Sequence, residues 1–134
     1  LNNTYKDFDL DYFLQKCKQY QFPLDKKINE FSTGMKAKLN VLIALSHHAT
    51  FLILDEPTAA MDAISEKNFY EKYISLAKNK SCILISHRLK STSFCDSIIV
   101  MENGKIIEKG THESLMNEDT HYKSMYQIQS SYYQ

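Results

Sequence analysis

The sequence predicts an α/β fold with a mainly parallel sheet and flanking helices. Two short apolar runs, residues 51–54 and 82–85, each stop at polar residues, as strands buried on both faces do. Segments with helical apolar spacing lie before and between them. Strands that alternate with helices pair in parallel, because the crossover needs a connection long enough to hold a helix.

Each element has its own signal. Residues 1–6 are polar and read as a frayed end. In residues 9–20, Leu10, Phe13, Leu14 and Cys17 recur at i, i+3, i+4, i+7, one face of a helix that Phe22, Pro23 and Leu24 interrupt. Residues 25–30 form a charged connection. Ser32 or Thr33 can cap a helix running to about residue 48. Its stretch 41–45 is apolar all round and should be buried, with Lys36, Lys38 and Asn40 exposed. After the strand at 51–54, Asp62 is an N-cap for a helix over about 63–77, with Phe69, Tyr73 and Ala77 on one face and Tyr70 and Ile74 beside them. A short helix near 91–95 follows the strand at 82–85. The next strand covers 97–101, and Asn103-Gly104 is a hairpin turn returning through 105–108. Gly110 ends that strand, and Thr111 caps a short helix through Met116. Tyr122, Met125, Tyr126, Gln129, Tyr132 and Tyr133 then form an aromatic stripe at helical spacing, read as packing surface.

Length and composition narrow the function classes. A chain of 134 residues is sized for one domain, able to bury roughly two-thirds of its unfolded surface. Sixteen basic and sixteen acidic residues cancel, which argues against a nucleic-acid or membrane-surface binder. No apolar stretch approaches the ~20 residues that span a bilayer. Cys17, Cys82 and Cys95 are odd in number and lack CxxC spacing, which points to a reducing compartment rather than a disulfide framework or zinc site.

Asp55 and Glu56 close the strand at 51–54, and Pro57-Thr58 follow. Adjacent carboxylates at the C-terminal edge of a parallel sheet sit where open α/β sheets bind ligands. Upstream, Ser32-Thr33-Gly34 opens a helix, and a helix N-terminus is an anion site that Gly lets a phosphate approach. His47, His48, His112 and His121 lack ligand-like spacing and read as surface or cap residues.

These segments carry a family resemblance. FLILDEPT resembles the Walker B motif of ABC-type ATPases with its catalytic glutamate, and AAMD, residues 59–62, resembles the D-loop. FSTGM, residues 31–35, stands where the family has its LSGGQ signature, with Thr33 in place of the first Gly and Met35 in place of Gln. Residues 85–89, Ile-Ser-His-Arg-Leu, resemble the histidine switch. Residues 98–116 look like the C-terminal part of such domains in exporters.

The resemblance implies a P-loop NTPase-like fold that binds ATP and Mg²⁺. Asp55 would hold Mg²⁺, directly or through water. Glu56 would face the attacking water as base or positioner. His87 would contact the γ-phosphate. Ser32, Thr33 and Gly34 would close over the nucleotide of a second nucleotide-binding domain, with Asp62 at that interface; Thr33, with its side chain, suits this less well than Ser32 and Gly34. The implied partners are that second domain and a transmembrane domain or subunit, at the cytoplasmic face of the membrane, with no nucleic acid. The TAAMD, SHRL and KIIEKGTHESLM stretches lean towards peptide or bacteriocin exporters; STGMKAKL leans towards systems with separate membrane subunits.

The chain has no GxxxxGK[ST]: its glycines are Gly34, Gly104 and Gly110. Residues 1–134 are therefore expected to be the C-terminal portion of one ATPase domain, with about 9–48 as the helical and signature region and about 49–134 holding the Walker B, D-loop, switch and C-terminal parts. The Walker A strand would be missing from the sheet. We expect the strand at 82–85 to expose an edge that repacks or pairs with another copy, and the chain alone to turn over no ATP. The alternatives are a soluble ABC-type ATPase without a membrane partner and a catalytically silent interaction module of the same fold.

Overall fold

The computed structural model describes residues 7–59, 61–73 and 80–131. The frayed end expected at 1–6 lies outside them, as do Ala60, Ile74, Ala77, Tyr132 and Tyr133; the side chain of Tyr73 is likewise not described. The chain divides into two units, Leu1–Ile85 and Ser86–Gln134.

The first unit begins with helix α1 (Leu10–Gln19), capped by Asp9, whose carboxylate accepts from Tyr12 N at 2.8 Å. Phe13 and Cys17 are buried, while Leu10 and Leu14 sit on the shoulders of the apolar face. The helix ends at Tyr20, and Gln21 turns the chain with a positive φ. A 3₁₀ turn (Ile28–Glu30) lies within the charged connection.

Helix α2 (Thr33–Ser46) starts at Ser32, not Thr33: Ser32 Oγ accepts from Met35 N at 3.2 Å. Val41, Leu42 and Leu45 are buried, as an all-round apolar stretch requires. Strand β1 (Phe51–Asp55) follows, then α3 (Ala63–Tyr73) and β2 (Ser81–Ile85). β1 and β2 pair in parallel with Ile53 opposite Ile83 and Asp55 opposite Ile85.

The core of this unit joins Phe8, Phe13, Cys17, Phe22 and Phe31 to Leu42, Leu45, Leu52, Met61, Phe69 and Tyr70. Each large apolar side chain buried in this way contributes about 1.5–3 kcal/mol.

One expectation is corrected here. The strand at 51–54 was expected to be buried on both faces, yet only one face is covered. Leu52 is buried, and Leu54 and Leu84 pack against the core, but Ile53 is 60% and Ile83 48% exposed. Side chains alternate along a strand, so Phe51, Ile53 and Asp55 share the open face. β2 pairs with β1 alone, and no further strand borders it among the described residues. Of the two expected outcomes at that edge, repacking is not seen among the described residues.

In the second unit a 3₁₀ segment (Leu89–Phe94) leads to β3 (Ile98–Glu102), which pairs antiparallel with β4 (Lys105–Gly110). Asn103 and Gly104 both have positive φ, as a two-residue hairpin turn demands. A bulge falls between Val100 and Met101. Helix α4 (His112–Asn117) opens on a capping box between Thr111 and Ser114, and α5 (His121–Ser131) has its first N–H groups capped by the Glu108 carboxylate, 2.6 Å from His121 N and 2.9 Å from Tyr122 N. The core is Leu89, Ile98, Val100, Leu115 and Tyr122. The architecture is thus mixed α/β, with one parallel and one antiparallel pair.

Candidate functional site

Asp55 ends β1 on the open face and is exposed. Glu56 leaves the strand with φ +44°, a left-handed backbone that a non-Gly residue holds only when its surroundings impose it. Its N–H donates to Ile85 O at 2.9 Å, carrying the β1–β2 ladder one step beyond the strand, and its carbonyl accepts from Ala59 N at 3.2 Å. Glu56 is half-buried and its Oε2 is closed off from solvent.

A second turn follows, with Met61 N donating to Thr58 O at 2.9 Å. Thr58 is completely buried; its hydroxyl donates to Glu66 Oε1 at 2.9 Å and lies 3.1 Å from the Tyr70 hydroxyl. Asp62 is exposed and caps α3, accepting at Oδ1 from Ile64 N at 3.0 Å and Ser65 N at 2.9 Å. Hydrogen bonding, led by the Ser65 hydroxyl, holds its carboxyl below the usual range.

The N-terminus of α2 meets this loop. A Cβ built at Gly34 would lie 3.5 Å from Met61 Cε, so the D-loop-like segment lies close enough that a side chain here would touch it. Ser32 and Thr33 are exposed at the same helix end, where the first N–H groups lack intrahelical acceptors. Asp55, Glu56, Asp62, Ser32, Thr33 and Gly34 all belong to the first unit.

His87 belongs to the second unit and is exposed. It does not end β2, which stops at Ile85. Its carbonyl accepts from Gln129 Nε2 at 2.5 Å, and Leu89 N donates to Gln129 Oε1 at 2.9 Å, so α5 grips the backbone on both sides of Arg88.

One other histidine departs from expectation: His112 is half-buried, with Nδ1 2.7 Å from the Tyr122 hydroxyl. His48 is exposed, as expected, and meets Asp9 at 3.1 Å. An open groove of about 320 Å³ beside His112, also lined by Ser93, Cys95, Asp96, Thr111 and Glu113, holds none of the candidate residues. Thr58, Glu66 and the Tyr70 hydroxyl were missed as site residues. Their signal was available only as a Glu and a Tyr at i, i+4 spacing on the helix after the acids.

The fold is mixed α/β, and comparison with known proteins shows the family it belongs to. Residues 4–59 match the family described as ABC transporter. The ATP-dependent lipid A-core flippase of Idiomarina loihiensis is 38% identical over 112 residues, 81% of this chain and 19% of that protein. The subtilin transport ATP-binding protein SpaT of Bacillus subtilis is 38% identical over 118 residues, 84% of this chain and 19% of that one. A bacterial Atm1-family ABC exporter with ATP bound superposes with a TM-score of 0.68 at 27% identity, covering 76% of this chain and 18% of that chain. The chain is part of an ABC transporter ATP-binding domain, homologous to exporter-type ABC proteins. It spans about a fifth of the length of the curated relatives it matches.

Proposed function

We propose that these residues are the C-terminal portion of the ATP-hydrolysing domain of an ABC exporter, coupling ATP turnover to transport across a membrane. The observation that carries this is Glu56. It is a carboxylate in an imposed left-handed turn, one residue beyond a parallel strand that ends in Asp55. Glu56 positions or deprotonates the water that attacks the γ-phosphorus. Asp55 offers an exposed carboxylate oxygen, the hard donor that Mg²⁺ takes singly or doubly while keeping its waters. When bound, Mg²⁺ neutralises charge developing on the phosphate oxygens.

Ser32, Thr33 and Gly34 present a helix N-terminus to a nucleotide bound by a second ATP-binding domain, with Asp62 beside that interface. His87 hydrogen-bonds the γ-phosphate. A transmembrane domain or subunit, at the cytoplasmic face of the membrane, receives the motion. No helix among the described residues is long and apolar enough to cross a membrane. Homology to exporters supports the exporter side of the conflicting sequence signals. No nucleic-acid role is proposed.

The test is ATP turnover by the full-length gene product. Glu56→Gln should lower kcat by at least about a hundredfold while ATP binding persists, a loss of some 2.7 kcal/mol of transition-state stabilisation. Near-normal turnover in that variant would remove Glu56 from the mechanism. The 134-residue chain, lacking GxxxxGK[ST], should hydrolyse no ATP by itself.

A further inference from the structure

We infer that Tyr70 and Glu66 are positioning residues for the catalytic acid, acting through the buried hydroxyl of Thr58. This rests on the ATPase reading of Glu56. Thr58 has one hydroxyl proton, and it goes to Glu66 Oε1 at 2.9 Å. The 3.1 Å contact with Tyr70 therefore has the phenol as donor and Thr58 Oγ1 as acceptor. Both partners come from one face of α3, at i and i+4, so the rigid helix holds the hydroxyl from two directions. Tyr70 is itself fixed: it is 3% exposed and packs edge-on against Phe69, with ring centroids 5.6 Å apart.

Thr58 lies inside the pair of turns that carries Glu56. Its carbonyl closes the second turn with Met61 N, and Ala59, its neighbour, closes the first with Glu56 O. The left-handed backbone at Glu56 is thus pinned to β2 at its amide and to α3 at Thr58. Without the α3 pin the turn can relax, and the carboxylate loses its line to the attacking water. A misplacement on the order of 1 Å costs about a hundredfold in rate.

The experiment uses the full-length gene product with Tyr70→Phe, which removes only the phenol oxygen, Thr58→Val, which keeps the shape without the hydroxyl, Thr58→Ser, and the double variant. Tyr70→Phe and Thr58→Val should each lower kcat roughly ten- to a hundredfold with KM for ATP within about twofold. Thr58→Ser should retain turnover, and the double variant should be no slower than Thr58→Val alone, because both break one linkage. Amide exchange at Ala59 and Met61 should accelerate in the slow variants. Normal kcat in Tyr70→Phe and Thr58→Val, beside an active unaltered protein, overturns the proposal even if their Tm falls. An unaltered protein with no ATP turnover overturns the ATPase reading instead, and the positioning role with it.

Discussion

Gly34 separates what the fold needs from what a phosphate needs. It is helical, and its added Cβ would meet Met61 only at ordinary contact distances of 3.5–3.7 Å. Replacing Gly within a helix removes about 0.5–1 kcal/mol of backbone entropy cost. Gly34→Ala should therefore raise the stability of the first unit by about that amount, read from denaturant midpoints. If a phosphate approaches this backbone, the same variant should lower ATP turnover of the full-length product by about tenfold, or 1.4 kcal/mol. A variant that is stabilised and fully active would show that no ligand comes so close. Gly110 is the contrasting case. A Cβ there would lie 2.5 Å from Ser114 Oγ, and Ser114 cannot yield without losing its 2.9 Å bond from Thr111 N in the capping box.

At the scale of elements, one chain of hydroxyls ties the second unit together. Thr92 Oγ1 donates to Leu89 O at 2.6 Å, so it must accept from Tyr122, 2.8 Å away. Tyr122, its proton spent, accepts from His112, which therefore carries hydrogen on Nδ1. The network fastens α5 to α4 and to the 3₁₀ segment around a wholly buried phenol. Burial pushes the Tyr122 phenol above its ordinary value. A folded value above the unfolded one means that its contribution is complete below about pH 10 and is lost as pH rises through the raised value. Tyr122→Phe should cost about 1–3 kcal/mol near neutrality, by leaving buried partners unsatisfied. It should also flatten the decline in stability above about pH 10. An identical alkaline decline in the variant would assign the titration to other groups.

For the whole molecule, the decisive feature is the exposed apolar face of the β1–β2 pair. Phe51, Ile53, Ile83 and Ile85 are each about half exposed or more and share one face, with Ile53 opposite Ile83 and Ile85 opposite Asp55. Contiguous apolar surface on a strand pair promotes association. In the 134-residue chain, Ile53→Thr keeps the β-branched shape and should change stability by no more than about 0.5 kcal/mol, as at other surface sites. Solubility should rise and binding of an apolar dye should fall. A loss of several kcal/mol would mean that the face is already packed in solution.

Local chemistry in the sequence was enough for most of this. The caps at Ser32, Asp62 and Thr111, the Asn103-Gly104 hairpin and the parallel strands around α3 all follow from short-range rules, which hold wherever the chain folds. The order of the FSTGM, DEPT and SHRL segments was likewise enough to place the chain among ABC ATP-binding domains. Only the tertiary structure decided which face of β1 is covered, because an apolar run looks the same whether one side or both meet a partner. Only it made His112 a donor to a buried phenol, and only it joined Thr58 to Glu66 and Tyr70. Hydrogen bonds between groups distant in sequence depend on where the packed helices put them, and no spacing along the chain encodes that.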